Sequence, residues 1–216
     1  MFGYNTRPRM WEKLIKPIHK DRMLTLSNFP QRCDSYNDST KLYLRKHGLK
    51  ESYVNSLSTC YPTKHGICFV LTGKLLFQER RCDGIMPAVN NPHGVTRDGA
   101  IYMPEPDNPF DELVIVEGPA DAIAVSQEGY RSVALLGANP DNKALAYIST
   151  GLVRSPNKTF FIPDNDKPGL SLIVPVVREM PRVRILILPT PFKDICDMPQ
   201  SMREQFLSPV GVDRRY

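Results

Sequence analysis

The sequence has no apolar run of the ~18–20 residues that a membrane-spanning helix requires. Its first residues, Met1 to Arg9, are polar and basic and lead into no apolar core, which is unlike a secretory signal. We therefore expect a cytoplasmic protein that does not associate with a membrane.

The pairs of ligands that mark a structural zinc site are also missing. Five cysteines are present without a C-x-x-C spacing, and Cys60, His65 and Cys68 lie close together but do not form two tight pairs. We expect reduced thiols and no zinc. Gly73-Lys74 lacks the other residues of a Walker A phosphate-binding loop, which excludes a P-loop enzyme.

Charge is distributed unevenly along the 216 residues, whose net charge is +5. Residues 1–50 contain 11 Lys/Arg and 4 Asp/Glu, whereas residues 106–216 contain 12 Lys/Arg and 14 Asp/Glu. A basic front and a slightly acidic back favour two roles, polyanion binding and metal binding. A solvated basic surface is the alternative interpretation of the front.

The front of the chain predicts a small basic α+β unit at 39–110, after an irregular basic segment at 1–38. Ser39 is typical of the N-cap of a helix over Thr40–His47. Ile67–Leu71 and Leu75–Arg80 predict a β-hairpin around Thr72-Gly73. The 20 prolines indicate short elements, and the proline-rich stretch 87–109 reads as a linker.

Beyond the linker, strands and helices alternate, which predicts an α/β domain at 111–207 with a mostly parallel four-stranded sheet and a tail at 208–216. The predicted strands are Glu112–Val116, Ser132–Leu136, Lys158–Ile162 and Val183–Leu188. The predicted helices are Pro119–Gln127, Asn142–Ile148, Gly169–Met180 with a break at Pro175, and Pro199–Phe206.

Acidic residues follow three of these strands directly: Glu117 the first, Asp164 and Asp166 the third, Asp194 and Asp197 the fourth. The carboxyl ends of parallel strands lie along one edge, where open α/β sheets bind ligands. Three converging acidic clusters repel one another unless a cation lies between them. Oxygen ligands suit Mg²⁺ or Mn²⁺. Alternatively, each acid only begins a turn or caps a helix.

The segments ELVIVEGPADAIAVSQEGYRSVALLG, FFIPDNDKPG and LILPTPFKDICD together resemble the Toprim domain of bacterial-type primases, topoisomerases and some nucleases. The resemblance implies a Rossmann-like fold, catalytic roles for Glu117, Asp164 and Asp166, and a two-metal site that includes Asp194 and Asp197. It adds Asp121 to the metal ligands, although this residue lies where it can equally cap a helix.

The preceding segments TKLYLRKHGLKESYV, GICFVLTGKLLFQERRCDG and VNNPHGVTRDGAIY resemble the basic subdomain of DnaG-type primases. The resemblance implies nucleic-acid contacts from the basic and polar residues of these segments, with Tyr43 and Tyr102 as stacking groups. Alternatively, each basic residue taken alone is surface charge and each of the two tyrosines is a core aromatic. The contact residues are Arg45, Lys46, Arg80, Arg81, Asn90 and Arg97. His47 stands where many relatives have Arg, and the primase zinc module and helicase domain have no counterpart here.

The resemblance implies a primase core that makes short RNA primers on single-stranded DNA from nucleoside triphosphates, with Lys167 and Lys193 as triphosphate contacts or simply as solvated lysines. A replicative helicase or other replisome protein is the expected partner. A phage or mobile element is the suggested source, which would place the protein in the host cytoplasm. A Toprim nuclease and a non-catalytic replication adaptor are the alternatives.

Overall fold

A computed structural model of the chain describes residues 29–72, 76–92, 99–137 and 142–210. Of the irregular segment predicted at 1–38, residues 1–28 lie outside these ranges, as do the hairpin turn at 73–75 and the candidate contact Arg97. Within the described ranges, no helix combines the length and the apolar character needed to cross a membrane.

The front unit begins with two short helices, α1 (Asp38–Lys46) and α2 (Glu51–Ser56). The predicted first helix is confirmed, but its N-cap is Asn37 rather than Ser39. The Asn37 carboxamide oxygen accepts a hydrogen bond of 2.8 Å from the backbone N–H of Thr40. Asn is as good a cap as Ser, so the sequence pattern does not choose between them.

An antiparallel sheet follows, in the order β1 (Cys60–Pro62), β2 (Gly66–Leu71), β3 (Leu76–Arg81) and β4 (Val89–Asn90). The predicted hairpin is confirmed as the β2–β3 pair, in which Ile67 lies opposite Arg80. At Gly66 a Cβ atom would lie 1.9 Å from the Arg80 carbonyl oxygen, so this position requires glycine.

The back unit contains four parallel strands in the order β6-β5-β7-β8, which confirms the predicted α/β sheet. The strands are β5 (Leu113–Val116), β6 (Ser132–Ala134), β7 (Thr159–Phe161) and β8 (Arg184–Ile185). The helices are α3 (Pro119–Gln127), α4 (Asn142–Tyr147), α5 (Lys167–Ser171), α6 (Ile173–Glu179) and α7 (Gln200–Leu207).

Three predicted elements differ from the observed ones by more than a residue or two at their ends. The helix predicted over 169–180, with a break at Pro175, is two helices that meet at Leu172 instead, and Pro175 lies in the first turn of the second, α6. Proline is tolerated there because the first four N–H groups of a helix have no partner within it. The predicted fourth strand shortens to β8, and α4 continues into a π-helical turn at Ile148–Leu152.

Strand β5 contributes side chains to two hydrophobic cores. Val114 and Val116 belong to a core that also contains Leu44, Ile67 and Leu71 of the front unit. The alternate residues Leu113 and Ile115 belong to a second core, on the side of α4 and α6. One face of the parallel sheet is therefore covered by the front unit, so the core is continuous across the predicted boundary at 110/111.

A buried ion pair joins the end of the chain to this assembly. The Arg203 guanidinium on α7 is fully buried and donates from Nε to Oε1 of Glu128 at 3.0 Å, and its Nη2 atom lies 3.0 Å from the same oxygen. Arg203 Nη2 also donates to the carbonyl oxygen of Gly48, at 3.2 Å. The Gln127 side chain donates to the same carbonyl and accepts from the backbone N–H of Lys50.

We expect Glu128→Gln to lower the free energy of unfolding by about 3–5 kcal/mol, because it leaves the buried Arg203 charge without a counter-ion. The matched control is Glu179→Gln on the exposed surface of α6, which should change the free energy by no more than about 0.5 kcal/mol. Urea denaturation measures both variants. Equal effects would contradict a special role for the ion pair.

Candidate active-site cleft

A cleft of about 490 Å³ lies between the carboxyl edge of the parallel sheet and the front unit. Its back wall carries four carboxylates, on Glu117, Asp121, Asp164 and Asp194. These residues follow β5, β7 and β8 along the chain, as the sheet topology requires. The strand connections therefore bring acids from three separate segments to one cavity.

Glu117 follows the last residue of β5 and directs its carboxylate into the cleft. Its Oε2 atom is buried and has no hydrogen-bond partner within the described parts of the chain. Burial raises the pKa of Glu117, and the nearby Asp166 raises it further. An orphaned carboxylate oxygen at this position is a suitable ligand for a hard cation.

Asp121 lies in the first turn of α3, where it can cap the helix or bind a metal ion. Its carboxylate lies beside the backbone N–H of Gly118, the N-cap of the helix, and beside the Cys196 thiol, and both groups act to lower its pKa. Burial, together with Asp194 and Asp164, raises its pKa well above the usual range. At Gly118 a Cβ atom would lie 2.7 Å from Asp121 Oδ2, so glycine allows this close approach.

Asp164 and Asp166 follow β7 but have different surroundings. Asp164 lines the cleft, whereas Asp166 caps α5 by accepting from the Gly169 N–H at 2.9 Å and lies 3.3 Å from Lys193 Nζ. Gly169 is required here, since a Cβ atom would lie 2.4 Å from the Asp164 carbonyl oxygen. The cap therefore fixes the loop that presents Asp164.

Asp194 and Asp197 are also separated by their hydrogen bonds. Asp194 lines the cleft and accepts from the Asp197 N–H at 2.9 Å, which begins a short 3₁₀ helix. Asp197 is exposed, does not line the cleft, and accepts from the Lys193 N–H at 3.2 Å. Of the two acids in this segment, only Asp194 faces the other carboxylates of the cleft.

The clustered carboxylates in the cleft have raised pKa values. Burial raises the pKa of Asp164 to about 7, and the charges of Glu117 and Asp194 contribute to the shift. Burial and the neighbouring Asp197 also raise the pKa of Asp194. A divalent cation would reverse these shifts, because it favours the ionised form of each carboxylate.

The opposite wall of the cleft comes from the front unit and carries Tyr43, His47 and Arg80. The Tyr43 ring lies 4.3 Å from the His47 ring, measured between centroids, and the Arg80 guanidinium lies 5.5 Å from the Tyr43 centroid. Arg80 Nε is buried and has no hydrogen-bond partner among the described residues. A cation and aromatic rings therefore face the acidic wall.

Other predicted contact residues lie away from this wall. Arg45 and Lys46 are exposed at the end of α1. Asn90 donates to Glu79 Oε2 at 2.9 Å, and Arg81 Nε lies 3.9 Å from the same oxygen. Both are thus engaged with a buried carboxylate. Lys167 is exposed at the start of α5.

The expectation that Tyr102 stacks on a base is wrong. Its side chain is fully buried, packs against Phe69 with ring centroids 5.1 Å apart, and forms a hydroxyl contact of 3.3 Å with Thr59. Its backbone forms an antiparallel bridge with Ala134 of β6. Tyr102 is therefore a core residue that joins the linker to the parallel sheet.

Sequence reasoning missed His47 and Cys196 as cleft residues, although both line it. Their contact depends on the packing of α1 against the segment after β8, which no local pattern encodes. The replacement of an expected Arg by His at position 47 was the available signal.

Comparison with known proteins identifies a Toprim-like family match over residues 114–198. No curated protein matches the chain. Among solved structures, a DnaG primase catalytic domain bound to single-stranded DNA is similar, with 17% identity, a TM-score of 0.57, and coverage of 80% of this chain and 71% of that one.

The E. coli primase catalytic core is 16% identical with a TM-score of 0.53, and the match covers 82% of this chain and 77% of that one. The primase fragment of the bacteriophage T7 primase-helicase is 15% identical with a TM-score of 0.57, covering 77% of this chain and 72% of that one. Likeness at these identities establishes a shared fold.

The raised pKa of Asp164 predicts that its ionisation destabilises the metal-free protein. The folded state keeps a proton up to about pH 7, whereas the unfolded chain loses it near pH 4. Stability therefore falls as pH rises between these values, and the cost is fully present at pH 8. In EDTA, we expect Asp164→Asn to raise the Tm at pH 8 by a few degrees, with a smaller rise at pH 5.

Differential scanning calorimetry measures the effect, where ~1 kcal/mol corresponds to about 2–4 °C for a chain of this size. The control Asp107→Asn, on an exposed carboxylate outside the cleft, should leave the Tm unchanged at both values of pH. A Tm for Asp164→Asn at or below that of the wild type at pH 8 would contradict the electrostatic description of the cleft.

Proposed function

We propose that this chain, a Toprim protein that resembles DnaG-type primases, is a primase core that synthesises short RNA primers on single-stranded DNA. The observation that carries the proposal is the composition of the cleft. Carboxylates from three strand ends face Arg80, Tyr43 and His47 across one cavity. Template-directed nucleotidyl transfer requires both a metal-binding wall and a wall that holds nucleic acid.

The donor set of the acidic wall fits Mg²⁺ or Mn²⁺. It offers carboxylate oxygens from Glu117, Asp164 and Asp194, and one oxygen of Glu117 has no partner among the described residues. Asp166 lies close enough to raise the pKa of Glu117, and Asp194 and Asp164 raise the pKa of Asp121, so we include both Asp121 and Asp166 in a two-ion site. When bound, the ions neutralise phosphate charge and acidify the attacking 3′-hydroxyl.

The loops that present the acids are tied together. The Asn165 N–H donates to the Lys193 carbonyl oxygen at 2.6 Å, and the Asn165 side chain donates to the Phe192 carbonyl at 3.3 Å. These bonds hold the loop after β7 against the loop after β8. They keep Asp164 and Asp194 at a fixed separation, as a pre-organised site requires.

Lys193 and Lys167 are the cations nearest to the acidic loops, and we propose that they contact the triphosphate. Lys193 is paired with Asp166, which raises its pKa and keeps it protonated. The reaction also requires a group that accepts the proton of the attacking hydroxyl. Glu117, whose pKa burial raises, is positioned to accept the proton of the attacking hydroxyl if it does not ligate a metal.

The template path begins, in this proposal, at Arg80 and Tyr43 and continues over the exposed Arg45 and Lys46. Arg80 supplies charge inside the cleft, and the Tyr43 ring supplies a stacking surface at its wall. One structural neighbour is a primase fragment of a primase-helicase protein. A replicative helicase or other replisome protein is accordingly the proposed partner, and a phage or mobile element the proposed source.

A primer-synthesis assay tests the proposed activity. The full chain is incubated with labelled ribonucleotides, Mg²⁺ or Mn²⁺, and single-stranded DNA. We expect short labelled oligomers from the wild type and from Asp107→Asn, and at least ~10²-fold less product from Asp164→Asn or Glu117→Gln, since each removes charge stabilisation from the transition state.

The alternatives give different products. A nuclease shortens the template without nucleotides and loses this activity in Asp164→Asn. An adaptor binds the template but neither extends nor cuts it. Either result, with folded protein and both metals tested, would overturn the primase proposal.

Salt dependence tests the proposed template path. Each neutralised phosphate contributes about −0.7 to the slope of log K against log salt for single strands, so roughly three to five phosphates give a slope near −2 to −3.5. We expect neutral substitutions of the front-unit contacts to flatten this slope. The residues to change are Arg45, Lys46, Arg80, Arg81 and Arg97.

Fluorescence anisotropy with labelled single-stranded DNA measures these slopes. The control Arg178→Gln, on α6 and away from the cleft, should keep the wild-type slope. Asp164→Asn should bind DNA as tightly as the wild type or slightly more tightly, because it removes a negative charge. Unchanged slopes in the front-unit variants would contradict the path.

A further inference from the structure

Three side chains with different ligand chemistry meet at one end of the cleft. A ring nitrogen of His47, a carboxylate oxygen of Asp194 and the Sγ atom of Cys196 all lie within 4.8 Å of one another. Donor atoms around a tetrahedral ion with bonds of ~2.0–2.3 Å lie roughly 3.3–3.8 Å apart. Small side-chain rotations therefore bring the three atoms to bonding distance of one ion.

The three residues come from elements on both sides of the cleft. His47 directly follows α1, whereas Asp194 caps the 3₁₀ helix that contains Cys196. The Nδ1 atom of His47 is buried and has no hydrogen-bond partner among the described residues. Cys196 is 2% exposed, and its thiol points at Asp121. An orphaned imidazole nitrogen and a buried sulfur thus accompany the carboxylate.

We propose that His47, Asp194 and Cys196 form a site for a thiophilic divalent cation of the Zn²⁺ class. Sulfur and imidazole ligands select such ions over Mg²⁺, which prefers oxygen. On binding, the thiol proton leaves to solvent as the sulfur–metal bond forms. Three protein ligands leave one position of a tetrahedron open.

This site differs from the zinc site that the sequence argues against. The sequence predicts no zinc in the chain because paired ligands are missing, and the cluster it considered was Cys60, His65 and Cys68, so the proposed site departs from that expectation. In the structure Cys60 and Cys68 are buried in the antiparallel sheet, and the His65 ring is bound to Asp83 at 2.6 Å. The new site is visible only in three dimensions, because 147 positions separate His47 from Asp194 in the sequence.

Asp194 belongs to both donor sets, which gives the site a consequence for the cleft. A Zn²⁺-class ion held by His47 and Cys196 withdraws Asp194 from the carboxylates that are proposed to hold Mg²⁺. Binding of this ion and of Mg²⁺ should therefore be competitive. This consequence rests on the proposed function, whereas the site itself does not.

Cobalt is the probe for the site, since Co²⁺ replaces Zn²⁺ and a thiolate ligand gives it an intense near-ultraviolet charge-transfer band. The full chain, with its thiols reduced, is titrated with Co²⁺ alone. We expect the intensity of the band to saturate at one Co²⁺ ion per chain. One equivalent of Zn²⁺ should then abolish the band. A wild type without the band would overturn the proposal.

Two pairs of variants assign the ligands. Cys196→Ser should abolish the band, whereas Cys68→Ser, matched in burial, should retain it. His47→Gln should weaken Co²⁺ binding by no less than the roughly 10–100-fold that outer-shell partners cost. The matched control His65→Gln, whose ring is bound to Asp83 outside the cleft, should bind Co²⁺ like the wild type.

Persistence of the band in Cys196→Ser, or unchanged affinity in His47→Gln, would overturn the assignment. Circular dichroism shows whether Cys196→Ser folds. If it does not, the comparison of His47→Gln with its control variant still tests the proposal. Neither readout needs nucleotide or DNA. Failure of the primer assay and failure of this site are therefore distinguishable.

Discussion

Parallel pairing of β5 with β6 on one side and β7 on the other determines where the acidic groups can lie. The pairs Ile115–Val133 and Ile115–Phe161 align the three strands, so that they end at nearly the same level. Glu117 and Asp164 then emerge at one edge of the sheet. All four residues of β5 are buried, so the strand cannot change register without exposing core residues.

Hydrogen bonds hold part of the acidic cluster in place before any cation binds. Asp166 and Asp194 each accept a backbone N–H at the start of a helix, so capping and site geometry use the same side chains. Capping alone does not explain Asp164 and Glu117, whose raised pKa values reflect burial beside other carboxylates. Acids that only terminate turns have no reason to share a buried cavity, and this distinction favours a functional cluster.

Local patterns predicted the elements that depend on local physics. Helix α3 has the predicted bounds because proline at its first position and Gly129 beyond its end are strong boundary signals. The acidic edge followed from strand order. The stacking role expected of Tyr102 failed because it depends on distant partners: the side chain is buried, and its backbone pairs with Ala134. The meeting of His47 with Cys196 has no local signature at all.

Helix α3 also connects the chemistry of the cleft to the stability of the fold. Its first turn contains Asp121, and its C-cap is Glu128, which binds the buried Arg203. Arg203 in turn holds the Gly48 carbonyl, one residue after His47. The acidic wall and the wall that carries His47 are thus tied through one helix and one ion pair. Since a cleft of this kind works only if its walls keep their separation, the buried charge pair has a positional role that an apolar replacement of equal stability would lack.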